Sequence, residues 1–214
     1  MKVGTDGVLL GAWADVSGPR ILDIGTGTGL IALMAAQRNP EAEVFAIDIE
    51  PEAVSQARDN VVASPFRGRV SVEIQDVLAL CSNQHFNSIL CNPPFFTEDT
   101  LPLDASRSLA RNSAALPFPD LIRKVARLLA PDGTFSVIIP AQSMSLFAAL
   151  CMTEGLSLSR RCLVKTTERK PPRRVLLTFT PATTASTTEE TLCLTAPDGS
   201  RSQAYAQLAA EFYL

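Results

Sequence analysis

The sequence predicts an α/β fold in which helices cover both faces of a mainly parallel β-sheet. Apolar runs of strand length alternate with longer amphipathic stretches along most of the chain, and this alternation is the pattern of βαβ units. A glycine-dense turn joins the first apolar run to the first amphipathic stretch. The chain has 214 residues, 46% of them hydrophobic, and we therefore expect a single domain spanning residues 1–214.

Seven strands and their connecting helices are predicted in chain order. The strands are 20–24, 43–48, 69–75, 88–92, 134–139, 157–164 and 174–180. The helices are 29–38, 51–63, 120–129 and 144–154. Pro51 suits the first turn of its helix. Residues 131–133 read as a turn and 183–190 as a loop, before a short strand near 191–194 and a helix near 204–210.

The composition excludes several classes of protein. The five cysteines are scattered without a Cys-x-x-Cys pair, and His85 is the single histidine. Disulfide scaffolds, zinc sites and histidine-based triads are therefore disfavoured. No apolar run reaches the roughly 18 residues of a membrane span, and the start has no signal-peptide pattern. We expect a cytoplasmic protein without membrane or metal partners, and we favour a monomer.

The charge is unevenly distributed. The net charge is −3, but residues 160–174 contain a single acid, Glu168, among many basic residues. The basic residues are Arg160, Arg161, Lys165, Arg169, Lys170, Arg173 and Arg174. A local basic segment on an acidic body is compatible with phosphate binding, although such runs are often only a solvated surface.

The glycine-dense turn suggests a ligand site. The first strand runs into Gly25, Thr26, Gly27 and Gly29, and Asp23 lies two residues ahead of the first glycine. Glycines permit a tight turn and close approach of a ligand, and the helix that follows offers amide groups to an anion. The spacing is Gly-x-Gly-x-Gly, unlike the Gly-x-Gly-x-x-Gly of dinucleotide sites. A carboxylate here would repel a pyrophosphate and attract the ammonium group of an amino acid.

Two further acids end predicted strands. Asp48 closes the second strand, where a carboxylate can accept both ribose hydroxyls of a nucleoside. Asp76 follows the third strand and can accept a hydrogen bond from an adenine amino group. We include Ile49 and Val77, which follow these acids, in the same predicted cofactor site.

The tetrapeptide Asn92-Pro93-Pro94-Phe95 indicates the chemistry. It follows the fourth strand directly, and its two prolines keep the chain extended. The Asn92 side-chain oxygen and the Pro93 carbonyl are then two fixed acceptors, which can bind both protons of one planar NH₂ group and direct its lone pair at a methyl donor. Phe95 offers a face for base stacking, which Phe96 can widen.

Together, residues 23–29 and 92–95 resemble the amino-methyltransferase branch of class I S-adenosylmethionine-dependent methyltransferases. The resemblance implies a Rossmann-like fold with a seven-stranded sheet, an antiparallel last strand and S-adenosyl-L-methionine as cofactor. It makes Asn92 part of the cofactor site as well. The branch includes enzymes that methylate adenine N6, cytosine N4 and protein glutamine N5.

A narrower resemblance spans essentially the whole chain. The opening MKVGTDGVLLGAW, residues 173–179 and residues 210–214 are similar to the bacterial tRNA1(Val) (adenine-37 N6)-methyltransferases. This likeness implies an anticodon-loop adenine of tRNA as substrate. It places Thr5, Asp6 and Gly7 near the methionine end of the cofactor or over the active site. The side chains that it implies for RNA contact are Arg111, Arg169, Lys170, Arg173 and Arg174.

Two departures from that family accompany the likeness. Family members usually carry a further N-terminal stretch before the opening segment, and we expect that its absence could weaken activity. Phe95 stands where tyrosine is commoner, but stacking needs no hydroxyl. Protein glutamine-N5 methylation and a catalytically weakened RNA-binding form remain as alternatives. DNA adenine methylation and dinucleotide-dependent oxidoreduction are disfavoured, because no target-recognition domain and no proton relay are evident.

Overall fold

The computed structural model describes residues 4–81, 85–94, 116–184 and 186–212. The strands of this part are β1 (Arg20–Ile24), β2 (Glu43–Asp48), β3 (Val70–Ile74), β4 (Phe86–Cys91), β5 (Leu129–Pro140), β6 (Ser157–Lys165), β7 (Arg174–Thr180) and β8 (Thr188–Cys193). Its α-helices are α1 (Thr5–Trp13), α2 (Leu30–Arg38), α3 (Pro51–Ala63), α4 (Phe118–Leu128), α5 (Met144–Thr153) and α6 (Gln203–Leu208).

All eight described strands form one sheet, in the order β3-β2-β1-β4-β5-β7-β6-β8. Strand β7 is antiparallel to both β5 and β6, and the other pairs are parallel. The predicted α/β fold and its antiparallel seventh strand are confirmed. The short strand predicted near 191–194 joins this sheet beside β6, so the described sheet has eight strands and not seven. The order reverses between β2 and β4 on the two sides of β1, and parallel α/β sheets bind ligands at such a point.

Two local predictions were wrong. Residues 131–133, predicted as a turn before the fifth strand, lie within β5, because Leu129 pairs with Phe86 and Thr134 pairs with Ser88. The extra residues form an irregularity in a strand that keeps its partner on both sides. Residues 183–190, predicted as a loop, already contain the start of β8. Pairing with β6 makes this polar segment extended.

Two hydrophobic layers cover the two faces of the sheet. Helices α1, α2 and α3 pack on one face, and α4 and α5 pack on the other. On β1, Ile21 faces the first layer and Leu22 faces the second, and both side chains are fully buried. Strands that are buried on both faces have continuous apolar sequences. This explains why the central strands could be predicted from the sequence.

Helix α1 was not predicted by the pattern of the sequence. Every residue from Gly7 to Trp13 is buried, so the helix has no polar face. A helix that is apolar all round lacks the period by which amphipathic helices are recognised. Its position on α2 is therefore a finding of the tertiary structure.

The described residues contain no helix that is long and apolar enough to cross a membrane. They also contain no group of three or more His, Cys, Asp or Glu side chains that could hold a metal ion. All five cysteines are free thiols, and burial raises the pKa of the Cys162 thiol to about 11.

A buried carboxylate joins the end of β1 to the start of α2. Asp23 is fully buried, and its Oδ2 accepts hydrogen bonds from Thr26 Oγ1 at 2.6 Å and from the Ala32 amide at 3.1 Å. Ala32 lies in the first turn of α2, where amides have no partner within the helix. Burial raises the pKa of the Asp23 carboxyl from 3.8 to about 7, and the nearby charge of Asp48 adds to this effect.

Gly29 allows α2 to begin close to α3. It is the residue before α2 and has a left-handed φ of +82°. A β-carbon at this position would lie 3.3 Å from Cβ of Ala57. A side chain here would therefore strain the backbone and press on the neighbouring helix.

We predict that Asp23→Asn reduces the pH dependence of the free energy of unfolding between about pH 4 and pH 7. The folded pKa is raised, so the folded state binds more protons than the unfolded state in this window. The wild type should therefore lose stability as the pH rises from about 4 to 7. Urea unfolding at several pH values should show the variant gaining on the wild type by about 1 kcal/mol per pH unit.

The exposed acid Asp59 on α3 provides the control. Asp59→Asn removes one carboxyl without changing the buried site, and the Asp23→Asn curve is compared with it as well as with the wild type. If the Asp23→Asn and wild-type curves run parallel, the Asp23 carboxyl does not titrate in this range.

Candidate active site

A cavity of about 880 Å³ opens at the carboxyl ends of β1, β2, β3 and β4. Its walls come mainly from the segments that follow these strands, residues 24–28, 47–50, 75–78 and 91–94. Residues of the first turns of α1, α2 and α3 and the residues before α4 complete it. The cavity therefore lies at the point where the strand order reverses.

The amides of the glycine loop form hydrogen bonds to the end of β2. The amides of Gly25 and Thr26 donate to the Ile47 carbonyl at 2.9 and 3.0 Å, and the Gly27 amide donates to Asp48 Oδ2 at 2.8 Å. Gly25 has a φ of +69°, and a β-carbon there would meet no atom within 4 Å. The loop therefore presents bare backbone to the cavity, and a ligand can approach it closely.

Most of the predicted cofactor residues line the cavity. They are Gly25, Thr26, Gly27, Asp48, Ile49, Asp76, Val77 and Asn92. Asp23 and Gly29, which were also predicted as cofactor residues, are not among the residues that line it, and their assignment stays a prediction. Asp23 lies under the loop with its Oδ2 bound to Thr26 and Ala32, and Gly29 faces Ala57 of α3. Asp23 therefore holds the loop at the point where it leads into α2, and Gly29 allows α2 to begin close to α3.

The carboxylates of Asp48 and Asp76 already accept hydrogen bonds from backbone amides. Asp48 Oδ1 accepts from the Glu50 amide at 3.0 Å, and its Oδ2 accepts from Gly27. Asp76 Oδ1 accepts from the Leu78 amide at 2.9 Å and begins a 3₁₀ turn. A carboxylate oxygen has about two acceptor sites. Each acid is therefore held in place and can still accept a hydrogen bond from a ligand.

The cavity is lined by acids. Asp48, Glu50, Glu52 and Asp76 all contribute to the lining, and no lysine or arginine does so among the described residues. The field of these carboxylates favours a ligand that carries positive charge. A dinucleotide pyrophosphate would be repelled, which agrees with the glycine spacing.

Asn92 places an unpaired acceptor at the end of β4. It lines the cavity together with Pro93 and Pro94. Its Oδ1 is buried and has no hydrogen-bond partner among the described residues. Leaving a buried polar atom unpaired costs about 1–3 kcal/mol, and a ligand that brings an N–H donor would remove this cost.

Three predicted substrate residues, Phe95, Phe96 and Arg111, lie outside the described residues. Their assignments remain predictions from the sequence.

Several lining residues were not found by sequence reasoning. Gln75 and Leu78 flank Asp76, and this proximity was a usable signal. Glu52 and Gln56 lie on α3 with the spacing of one helical turn. Leu116 and Pro117 also line the cavity, and we found no local pattern that marks them.

The basic segment 160–174 is partly neutralised by residues that are distant in the sequence. Arg160 binds Glu190 through Nε at 2.6 Å, and Arg161 pairs with Glu189. Arg174 binds Asp6 through Nε at 2.8 Å. The segment itself contains one acid, Glu168, but β8 and α1 place further carboxylates beside it. The charge of the segment alone therefore overstates how basic this surface is. Arg174 was predicted to contact RNA, and the structure shows it paired with Asp6 of α1; its contact with RNA stays a prediction.

Of the four remaining basic residues of the segment, Lys165 ends β6 and donates from Nζ to the Glu168 carbonyl, and the other three lie in the β6–β7 connection. Arg169, Lys170 and Arg173 are exposed and form no ion pair among the described residues. This connection leaves the end of β6, which runs parallel to β5 and β4, so it lies at the same edge of the sheet as the cavity. Strand β7 is two positions from β4, or about 10 Å at the usual strand spacing.

Comparison with known proteins shows the family of this chain. The family model described as the methyltransferase small domain matches residues 4–145. A Phocaeicola vulgatus protein named tRNA1(Val) (adenine(37)-N6)-methyltransferase is 51% identical over 180 residues, which cover 84% of this chain and 76% of that protein. A Bacteroides fragilis protein of the same name is 43% identical and covers 100% of this chain and 91% of that protein.

A solved structure confirms the fold. It is an Agrobacterium tumefaciens protein described as a predicted O-methyltransferase, with a TM-score of 0.74, 23% identity and 96% of each chain covered. At this identity the match concerns the fold alone. The family resemblance carried by the sequence rests on the closer relatives, and it is confirmed by them. The chain therefore belongs to the methyltransferase small domain family and to the tRNA1(Val) (adenine(37)-N6)-methyltransferase family.

Proposed function

We propose that this protein transfers a methyl group from S-adenosyl-L-methionine to N6 of an adenine in tRNA, and that the target is adenine 37 of a valine tRNA. The observation that carries the proposal is the buried, unpaired Oδ1 of Asn92 at the wall of the cavity. The names and whole-length similarity of the relatives supply the substrate.

The cavity has the chemical features that this cofactor requires. The carboxylates of its lining suit a ligand with a sulfonium and an ammonium group. Asp48 is assigned to the ribose hydroxyls and Asp76 to the adenine amino group. The first turn of α2, where Leu30 and Ile31 line the cavity, suits the carboxylate. When bound, the cofactor supplies a methyl group that its sulfonium has already activated as an electrophile.

The role of the chain is to position the amine. The Asn92 side-chain oxygen and the Pro93 carbonyl each accept a hydrogen bond from one N–H of the adenine amino group. These two hydrogen bonds favour a pyramidal nitrogen with its lone pair directed at the methyl group. Alignment of this kind can supply a large part of a methyl-transfer barrier. After transfer, the proton passes to these acceptors or to water, so no strong base is required.

The surface proposed for RNA consists of Arg169, Lys170 and Arg173. These side chains are exposed at the edge of the sheet where the cavity opens, and their charge suits backbone phosphates. Phe95 and Phe96 are assigned to stacking on the target base and Arg111 to RNA contact. The chain is assigned to one domain, because both hydrophobic layers share one sheet.

The proposal is tested by nucleoside mass spectrometry. The purified protein is incubated with unmodified tRNA1(Val) and cofactor carrying a deuterated methyl group. We expect labelled N6-methyladenosine, and its loss when adenine 37 is replaced by guanine. Label on a protein glutamine and not on tRNA would favour glutamine-N5 methylation. tRNA binding without transfer, and without affinity for S-adenosylhomocysteine, would favour a weakened RNA-binding form.

We predict that Asn92→Ala lowers kcat by about 100-fold or more, the scale seen when one preorganised polar contact to a reacting group is removed. The affinity for S-adenosylhomocysteine should stay within a few-fold, because the side chain acts on the amine. Single-turnover methylation and calorimetric titration measure the two effects.

Asn92→Asp is the matched variant. It keeps the size and the acceptor oxygen, so it should retain substantially more activity than Asn92→Ala. Equal loss of kcat and of cofactor affinity in Asn92→Ala would contradict an amine-positioning role.

We also predict that Lys170→Gln/Arg173→Gln weakens tRNA binding and makes it less sensitive to salt. Each lost phosphate contact should reduce the slope of log K against log salt concentration by about 0.7–0.9. Filter binding across a salt series gives the slope.

Arg67→Gln/Arg127→Gln removes the same charge from exposed positions. Arg67 precedes β3, at the opposite edge of the sheet. The slope should be unchanged in this control. Equal slopes in all three proteins would exclude the β6–β7 connection from the RNA interface.

A further inference from the structure

The first turn of α1 forms part of the cavity wall through Gly4 and Gly7. Gly4 precedes the helix, and no side chain caps this end. The turn packs against the start of α2, where a β-carbon on Gly7 would lie 3.2 Å from the Leu30 side chain, and its position depends on such contacts rather than on a cap.

The far end of α1 is held by several contacts. Arg38 Nη1 donates to the carbonyls of Gly11 at 2.9 Å and Ala14 at 2.7 Å. Trp13 Nε1 donates to Glu190 at 3.2 Å, and the Arg160 guanidinium lies 4.1 Å from the centroid of the Trp13 ring. This end is thus fixed to α2, β6 and β8.

The cavity end is connected to the sheet by one ion pair. Asp6 Oδ2 lies 2.8 Å from Arg174 Nε, and this is the single ion pair of α1 among the described residues. The two side chains are 28% and 34% exposed. Arg174 Nη1 also donates to the Arg173 carbonyl at 3.2 Å. The guanidinium is therefore oriented from its own strand, at the start of β7.

We propose that Arg174 is a positioning residue for the cofactor: its ion pair with Asp6 holds the first turn of α1 against S-adenosyl-L-methionine. This inference rests on the proposed function, in that the cavity must take the cofactor. It assigns Arg174 to the cofactor side of the site, whereas the neighbouring Arg173 belongs to the surface proposed for RNA.

The sign of the effect separates positioning from simple electrostatics. Without Arg174, the carboxylate of Asp6 would lose its partner and add negative charge near a cavity that favours cations. Electrostatics alone would then strengthen the binding of a cationic ligand. A loosened turn would weaken binding. S-adenosylhomocysteine lacks the sulfonium charge, so its affinity responds less to the added negative charge and reports mainly on the position of the turn.

The test is a double-mutant cycle on Asp6→Asn and Arg174→Gln, read by calorimetric titration with S-adenosylhomocysteine without RNA. Each single variant should bind about two- to fivefold more weakly, the scale of a partly exposed ion pair. The double variant should lose no more than either single variant, since each breaks the same pair. Arg174→Lys should recover part of the affinity.

Arg161→Gln is the matched control, because it breaks the Arg161–Glu189 pair on the same sheet and neither residue lines the cavity. It should leave the affinity unchanged even if it lowers Tm as much as Arg174→Gln does. Wild-type affinity in Arg174→Gln, or equal weakening in Arg161→Gln, would overturn the inference while the proposed function stands. If the wild type itself does not bind S-adenosylhomocysteine, the proposed function fails first.

Discussion

The site depends on the buried carboxylate of Asp23. It lies at the end of the central strand β1 and binds the hydroxyl of Thr26 and the Ala32 amide, so that one side chain connects the glycine loop to the first turn of α2. The loop is fastened on its other side to Ile47 and Asp48 of β2. Burial destabilises the charged form of the carboxyl, and it raises the pKa of Asp23 to about 7. Its hydrogen bonds offset part of this cost and keep the loop in one conformation.

Around this support, the cavity combines two kinds of recognition. Its carboxylates favour a cationic ligand, and the unpaired Oδ1 of Asn92 can accept a hydrogen bond from an N–H donor. The first feature suits the methyl donor and the second suits the amine that receives the methyl group. Both occur at one edge because parallel strands end there together and the order reverses at β1. The strand order thus places both features in the wall of one cavity.

The basic segment shows how far charge counting along a chain can mislead. Arg160 and Arg174 look like equal members of one patch in the sequence. In the structure, Arg160 stacks on Trp13 and binds Glu190, and Arg174 binds Asp6. Their partners lie on β8 and α1, far away in the chain. The exposed remainder, such as Arg173, is smaller, but it lies at the edge of the sheet where the cavity opens.

The sequence by itself determined the central strands, the glycine loop, the strand-end acids and the Asn92 acceptor, because each is a local pattern: a buried apolar run, a turn that needs glycine, or a polar residue where a strand stops. Only the tertiary structure decided that Asp23 supports the loop from beneath, that α1 closes one wall of the cavity, and that Arg174 is tied to Asp6. These facts depend on contacts between segments distant in the chain, and a buried helix such as α1 carries no periodic signal that would announce them.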